Sequence, residues 1–235
     1  MFKKLRQQFL VQHEMKNYFR YAIGEIVLVI IGILIALAIS DWNQDRIAKN
    51  DTLEIVRQID RDLSLDIDWY ENTNERFQAD VDVLARVAAG NYSDDDLANL
   101  LLPLTANGDP RNFNRSYDYL LASGNMKYLD DDGLLERLKN YYLIGTVKLN
   151  SMIGYHRELN ISANEGVLIG KLAIVNGEHL DPAATRSQLS EGNLLAFVQT
   201  QLVYLTEILV DVESSRNEAV ELKRYLIDTG YVKPG

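Results

Sequence analysis

The chain has 235 residues, with 24 Lys and Arg against 34 Asp and Glu, a formal net charge of −10 and no cysteine. That acidic balance argues against nucleic acid as a partner, because the phosphate backbone is repelled, and the missing thiols remove disulfide, thiolate and Cys-based metal chemistry. There is no Gly-rich phosphate loop and no Gly-x-Ser-x-Gly elbow, so no cofactor is indicated and a non-enzymatic protein is expected.

Residues 1–20 carry Lys3, Lys4, Arg6, Lys16 and Arg20 against Glu14, a net +4 with His13 neutral. Phe2, Leu5 and Phe9 recur at helical spacing among the lysines, the pattern of a basic amphipathic helix on a membrane surface. Next comes the apolar run of residues 26–39, which has no polar side chain and holds eleven Leu, Ile and Val residues. A helix over residues 22–40, at about 1.5 Å per residue, spans roughly 29 Å, close to the ~30 Å hydrocarbon core. At about −0.3 to −0.6 kcal/mol each, those side chains favour insertion by roughly 3 to 7 kcal/mol. Glu25 opposes this by about 3 kcal/mol at mid-bilayer and by less near the end of the span where it lies, so the run wins.

The competing reading is a cleaved signal peptide, since Ala36-Leu37-Ala38 mimics an A-x-A cleavage site. The long leader and the absence of Pro, or of any Gly after Gly32, before Ile39 favour an uncleaved anchor. Excess positive charge keeps the leader cytoplasmic. Taking the +4 leader and Glu25 from the −10 total leaves −13 for residues 41–235, an acidic exported part. Tyr18 and Tyr21 on one side and Trp42 on the other suit the interfacial aromatic belt. The expected division is a cytoplasmic juxtamembrane segment (1–20), a transmembrane helix (21–41) and an exported helical domain (42–235).

Glu25, Gly32 and Ala36 fall on nearly one line of a helix, and Gly32, Ala36 and Ser40 form a small-xxx-small series. The pattern points to a membrane-helix interface with a second copy or another membrane protein. The alternatives are a Glu25 that reaches the headgroups and a Glu25 that couples ions.

Residues 21–37, Tyr-Ala-Ile-Gly-Glu-Ile-Val-Leu-Val-Ile-Ile-Gly-Ile-Leu-Ile-Ala-Leu, followed by Trp42-Asn43, resemble the anchor of a family of uncharacterised bacterial single-pass membrane proteins. A looser similarity covers residues 117–142. In that family the anchor continues Leu-Gln-Ile-Asn-x-Trp-Asn, whereas Ala38, Ser40 and Asp41 stand in the intervening places here. The resemblance covers about a third of the chain. It implies a bacterial inner-membrane protein with a helical periplasmic domain, and it implies no activity.

From Asn43 to Ala89 there is no Pro or Gly, and Val56, Ile59, Leu63, Ile67, Tyr70, Phe77, Val81, Leu84 and Ala88 define one face of a long helix. Asn74 fills the gap in that stripe as a polar interruption. Nothing separates this helix from the anchor. Gly90-Asn91 ends it, and Ser93 with Asp96 reads as a capping box for a short helix stopping before Pro103. Residues 105–114 are turn-rich and read as an exposed contact loop. Residues 116–123 make a short helix closed by Gly124.

A second long helix starts at residues 130–132 and ends near Asn164, with Leu134, Leu138, Tyr141 or Tyr142, Val147, Met152, Tyr155 and Leu159 on its face. Residues 166–179 fit a strand pair or a buried connector. Asp181-Pro182 is a cap and first-turn pair. The last long helix, residues 193–228, presents Leu195, Val198, Leu202, Leu205, Leu209, Val212, Ala219, Leu222 and Leu226. The expected fold is all-α: an N-terminal transmembrane helix continuing into an antiparallel bundle of three long helices plus short accessory ones.

The triplets at 94–96 and 130–132 read as helix caps rather than calcium ligands, since neither continues into an EF-hand loop. His156 reads as a surface helix residue. Tyrosines 117, 119, 128, 141, 142 and 155 read as packing groups rather than a ligand cage. Three functions follow: a self-associating or envelope-complex subunit acting through its anchor and long helix, an exported sensor binding a small ligand, or an accessory subunit of an ion-driven complex using Glu25.

Overall fold

The computed structural model describes residues 2–105, 107–163, 172–175, 177 and 179–233, with side chains described from Tyr21 onward. The described residues are all-α apart from one two-residue strand pair. It divides into two compact units, Met1–Asp51 and Thr52–Gly235.

The described residues of the first unit are all helix, the opening part of α1 (Phe2–Ala88). Between residues 21 and 51 only Ala22 and Ala48 are half-buried; every other side chain is exposed, including the whole apolar run. Among the described residues two helices are long and apolar enough to cross a membrane. The second is the C-terminal helix, whose apolar window is partly buried in the core, whereas none of the window in α1 is buried.

In the second unit the remainder of α1 packs with two other long helical segments around one hydrophobic core. Its buried positions step by four and three: Val56, Ile59, Leu63, Asp66, Tyr70, Thr73, Phe77, Asp80, Leu84 and Val87. This is a 3.5-residue seam of the coiled-coil kind. Ile67, Asn74, Val81 and Ala88 flank it and are only half-buried, so of the expected face Tyr70, Phe77 and Leu84 are buried as read, while the alternate positions fall one residue earlier, at Asp66, Thr73, Asp80 and Val87. The cause is that the seam carries polar residues at Asp66, Thr73 and Asp80. Asn74 sits at its edge, its Nδ2 donating to Glu213 Oε2 at 3.3 Å. Truncating a fully buried seam residue such as Leu63 to Ala would cost about 2–5 kcal/mol.

Gly90, at φ +74°, ends α1 in a left-handed conformation that favours glycine. Then α2 (Asp94–Ala98) opens on the expected capping box, with Ser93 Oγ accepting from Asp96 N and the Asp96 carboxylate accepting from Ser93 N. Contrary to expectation, helix resumes through Pro103: α3 (Leu101–Thr105) places it in the first turn, where a missing N–H breaks no intrahelical bond.

The loop at 107–114 is stitched to the bundle rather than free. Arg111 N donates to Asn150 Oδ1 at 3.1 Å, Asn150 Nδ2 returns a bond to Arg111 O at 2.9 Å, and Phe113 is buried. Gly108 lies so close to Ile153 that an added Cβ would meet its Cγ2 at 3.0 Å. After α4 (Arg115–Ala122) and a 3-10 turn (Asn125–Tyr128), Asp131 caps α5 (Asp132–Lys139) through a bond from Leu134 N.

Helix α5 passes through a π-helical stretch (Asn140–Gly145) into α6 (Thr146–Ala163). The buried positions run Leu134, Leu138, Tyr141, then Tyr142, Thr146, Leu149, Ile153, His156 and Asn160. The single-residue step from Tyr141 to Tyr142 resets the phase. Val147 and Tyr155, expected inside, are therefore exposed, and Met152 and Leu159 are half-buried. Residues 164–171, 176 and 178 lie outside the described residues, and with them the expected helix end near Asn164 and most of the stretch 166–179 expected to be a strand pair or buried connector. The rest of that stretch includes the antiparallel pair β1 (Ile174–Val175) and β2 (His179–Leu180), with Ile174 and Val175 exposed.

Helix α7 (Pro182–Ser190) begins on the Asp181 cap with Pro at its start. Helix α8 (Asn193–Asp228) buries Leu194, Val198, Gln201, Leu205, Ile208, Val212, Ser215, Ala219, Leu222 and Leu226, again in steps of four and three, with Phe197 and Asp211 buried beside that line. Lys223 meets Asp60 at 2.7 Å while Arg216 meets Glu71 at 2.7 Å, so α8 runs opposite to α1. Arg137 meets Glu221 at 3.6 Å while His156 meets Gln201 at 2.6 Å, so it also runs opposite to α5 and α6.

Candidate functional site

The residues expected at a membrane-helix interface all lie on the exposed surface of the first unit. Glu25, Gly32, Ala36 and Ser40 are solvent-facing, and nothing comes within 4 Å of a Cβ built at Gly32. Ser40 Oγ accepts from Gln44 Nε2 at 3.2 Å. Tyr21 and Trp42 are exposed, with the Arg46 guanidinium 5.8 Å from the Trp42 ring centre; the Tyr18 side chain lies outside the described residues.

The second unit holds two polar groupings inside its core. The first centres on Asp66, placed inward by the heptad step of α1. Tyr141 Oη donates to Asp66 Oδ2 at 3.0 Å, and Tyr70 Oη lies 3.2 Å from Tyr141 Oη. A phenol has one proton, so Tyr70 is the donor to Tyr141 and the three groups form a chain. Arg111 reaches Asp66 Oδ1 with Nη2 at 3.2 Å. Its guanidinium lies 5.8 and 5.6 Å from the ring centres of Trp69 and Phe113. Phe113 stacks on Tyr70, centres 5.3 Å apart. Burial pushes the Asp66 carboxyl up to about 6 against the opposing pull of Tyr141 and Arg111. Burial also raises Tyr70 and Tyr141, so both stay neutral. Tyr142, stacked on Tyr117 at 4.7 Å, has a buried hydroxyl with no partner among the described residues.

Beside this chain opens a cleft of about 340 Å³, lined by Asp62, Asp66, Arg111, Asn112, Phe113 and Arg115 with Leu65 at its rim. Both carboxylates already accept bonds within the protein. Asp62 accepts from Gln58 Nε2 at 2.9 Å and from Ser116 Oγ.

The second grouping is His156, Gln201, Asn160 and Asn107. His156 is wholly buried, not on the surface as the sequence suggested. Its Nε2 lies 2.6 Å from Gln201 Oε1, Gln201 Nε2 donates to Asn160 Oδ1, and Asn160 Nδ2 donates to Asn107 Oδ1 at 2.9 Å. Since Gln201 Oε1 is an acceptor, the proton sits on Nε2, leaving Nδ1 as a buried acceptor without a partner among the described residues. Burial lowers the His156 pKa, with the Gln201 bond opposing.

The tyrosines do not form one cage: 117, 141 and 142 are buried, while Tyr119 and Tyr155 are exposed. Asp96 and Asp131 act as caps. Asp66, Arg111, His156 and Gln201 were missed by a search for apolar stripes; the signal for Asp66 was the sevenfold spacing Ile59, Asp66, Thr73, Asp80, Val87. Comparisons with protein-family models, with curated proteins and with solved structures find no match to this chain.

Proposed function

We propose that this protein is a single-pass membrane protein of the bacterial inner membrane, with its basic N-terminus in the cytoplasm and an acidic antiparallel helical bundle in the periplasm. It acts without catalysis, as a self-associating or envelope-complex subunit joined through the anchor helix. One observation carries the reading: every residue of the apolar run 26–39 is exposed, with none of it buried among the described residues. Exposed to water, eleven branched aliphatic side chains would cost several kcal/mol. Lipid removes that cost, and the length matches one crossing.

Gly32, Ala36 and Ser40 leave a shallow strip on which a second helix packs closely, with Glu25 on nearly the same line shielded from lipid by the contact. The resemblance to single-pass proteins with this anchor supports the same topology. In-membrane crosslinking of the intact chain, compared between the native protein and Gly32→Leu, tests the association. Oligomers or a crosslinked partner that the Leu variant loses support it; a strictly monomeric native protein with no partner, unchanged by the substitution, rejects it.

A further inference from the structure

We propose that the cleft beside Asp66 binds a small organic carboxylate, gripped between Arg111 and Arg115. This goes beyond the anchoring role and does not depend on it.

The hydrogen-bonding capacity of the cleft is unbalanced. Each carboxylate oxygen of Asp62 and Asp66 already accepts a bond from the protein: Gln58 and Ser116 on Asp62, Arg111 and Tyr141 on Asp66. The guanidiniums retain capacity. Arg111 donates one side-chain hydrogen bond of the five N–H groups it possesses, to Asp66, and Arg115 makes no hydrogen bond or ion pair among the described residues. The guanidinium N–H groups left over outnumber the lone-pair sites left on the two carboxylates, and a planar carboxylate matches a guanidinium fork.

The Arg111 half of the grip is preorganised. Arg111 is fixed at its backbone by the two bonds with Asn150, and its side chain lies beside the Trp69 and Phe113 rings. Little freedom remains to be lost on binding.

Charge and size narrow the ligand. Two arginines and two aspartates give the cleft no formal excess, so a monoanion is accommodated while a phosphate dianion would face both carboxylates. About 340 Å³ is at the small end of ligand pockets, and Leu65 and Phe113 offer an apolar wall for a short carbon body. Partial protonation of Asp66 near pH 6 further favours an anion.

The test is calorimetric titration of the full-length protein in detergent with benzoate and butyrate, against inorganic phosphate and methylammonium at matched ionic strength. Saturable binding of a carboxylate, stronger than that of either control, is expected. Arg115→Gln, which removes no hydrogen bond or ion pair among the described residues, should keep the ligand-free melting temperature and weaken binding about tenfold or more, the loss of a charge-assisted contact. Arg111→Gln should weaken it further. Absence of carboxylate binding, tighter binding of phosphate or methylammonium, or unchanged affinity in Arg115→Gln would overturn the proposal.

Discussion

Tyr141 and Tyr142 are neighbours in sequence and both are wholly buried, yet only the first has a hydrogen-bond partner for its hydroxyl among the described residues. In an α-helix consecutive residues diverge by about 100°, so a narrow seam does not accept both. The π-helical stretch Asn140–Gly145 widens the turn and lets both rings point inward. Their chemistry then separates. Tyr141 bonds a buried carboxylate, whereas Tyr142 brings a hydroxyl into the core without a partner there.

This predicts opposite effects from the same substitution. Tyr141→Phe removes a hydrogen bond to a buried acid and should destabilise by about 2 kcal/mol. Tyr142→Phe removes an unpartnered hydroxyl and should be neutral or stabilising by about 1 kcal/mol. Chemical denaturation of the two variants side by side measures this. Equal losses would mean that Tyr142 has a partner as strong as Asp66.

Asp66 should make the bundle less stable as the solution becomes less acidic. Its folded value, about 6, lies above the unfolded value near 4. Its stabilising effect is therefore fully present below about pH 4 and is lost as pH rises through about 6, by about 2–3 kcal/mol. Asp66→Asn removes this slope. The difference between native and variant denaturation free energies across that window isolates the group, because every other titration is common to both. A difference that stays constant with pH would contradict the burial assigned to Asp66.

His156 should act with the reverse sign. Burial depresses its folded pKa below the unfolded value of about 6.5. Its contribution is present above that value and is lost as pH falls below it, since the unfolded chain takes up a proton that the folded one resists. Nitrogen-detected NMR of the labelled imidazole should show a ring that takes up its second proton at lower pH than a free imidazole and that carries its single proton on Nε2 when neutral. A ring already protonated at pH 7, or a proton on Nδ1, would be inconsistent with the Gln201 contact.

How much of this was legible in the sequence depended on which residues held each position. Glycines and caps were readable: Gly90, Gly124 and Gly230 each stand where the chain turns left-handed, and Ser93, Asp131 and Asp181 cap the helices that follow them. The helical faces were readable only where their core residues are apolar. In α1 the preference for apolar side chains selected Ile67 and Val81 over Asp66 and Asp80, one residue away, although steps of four and three from Leu63 lead to the aspartates. In α8 the same preference took Leu202 over Gln201. The slip at Tyr141 and Tyr142 appeared as an ambiguity between two tyrosines when both were inside. The cleft was not legible, because it depends on a loop folding back: Arg111 reaches Asp66 across 45 positions, fixed by Asn150 39 positions further on.

The central claim, an anchored helical domain outside the cytosol, is tested most directly by protease accessibility of the intact chain in cells. Membranes washed at alkaline pH should retain the full-length protein, and protease should remove the acidic domain from spheroplasts but not from cells with a sealed outer membrane. Release of a soluble chain beginning near residue 39, or a domain that protease reaches only after the inner membrane is broken, would contradict it.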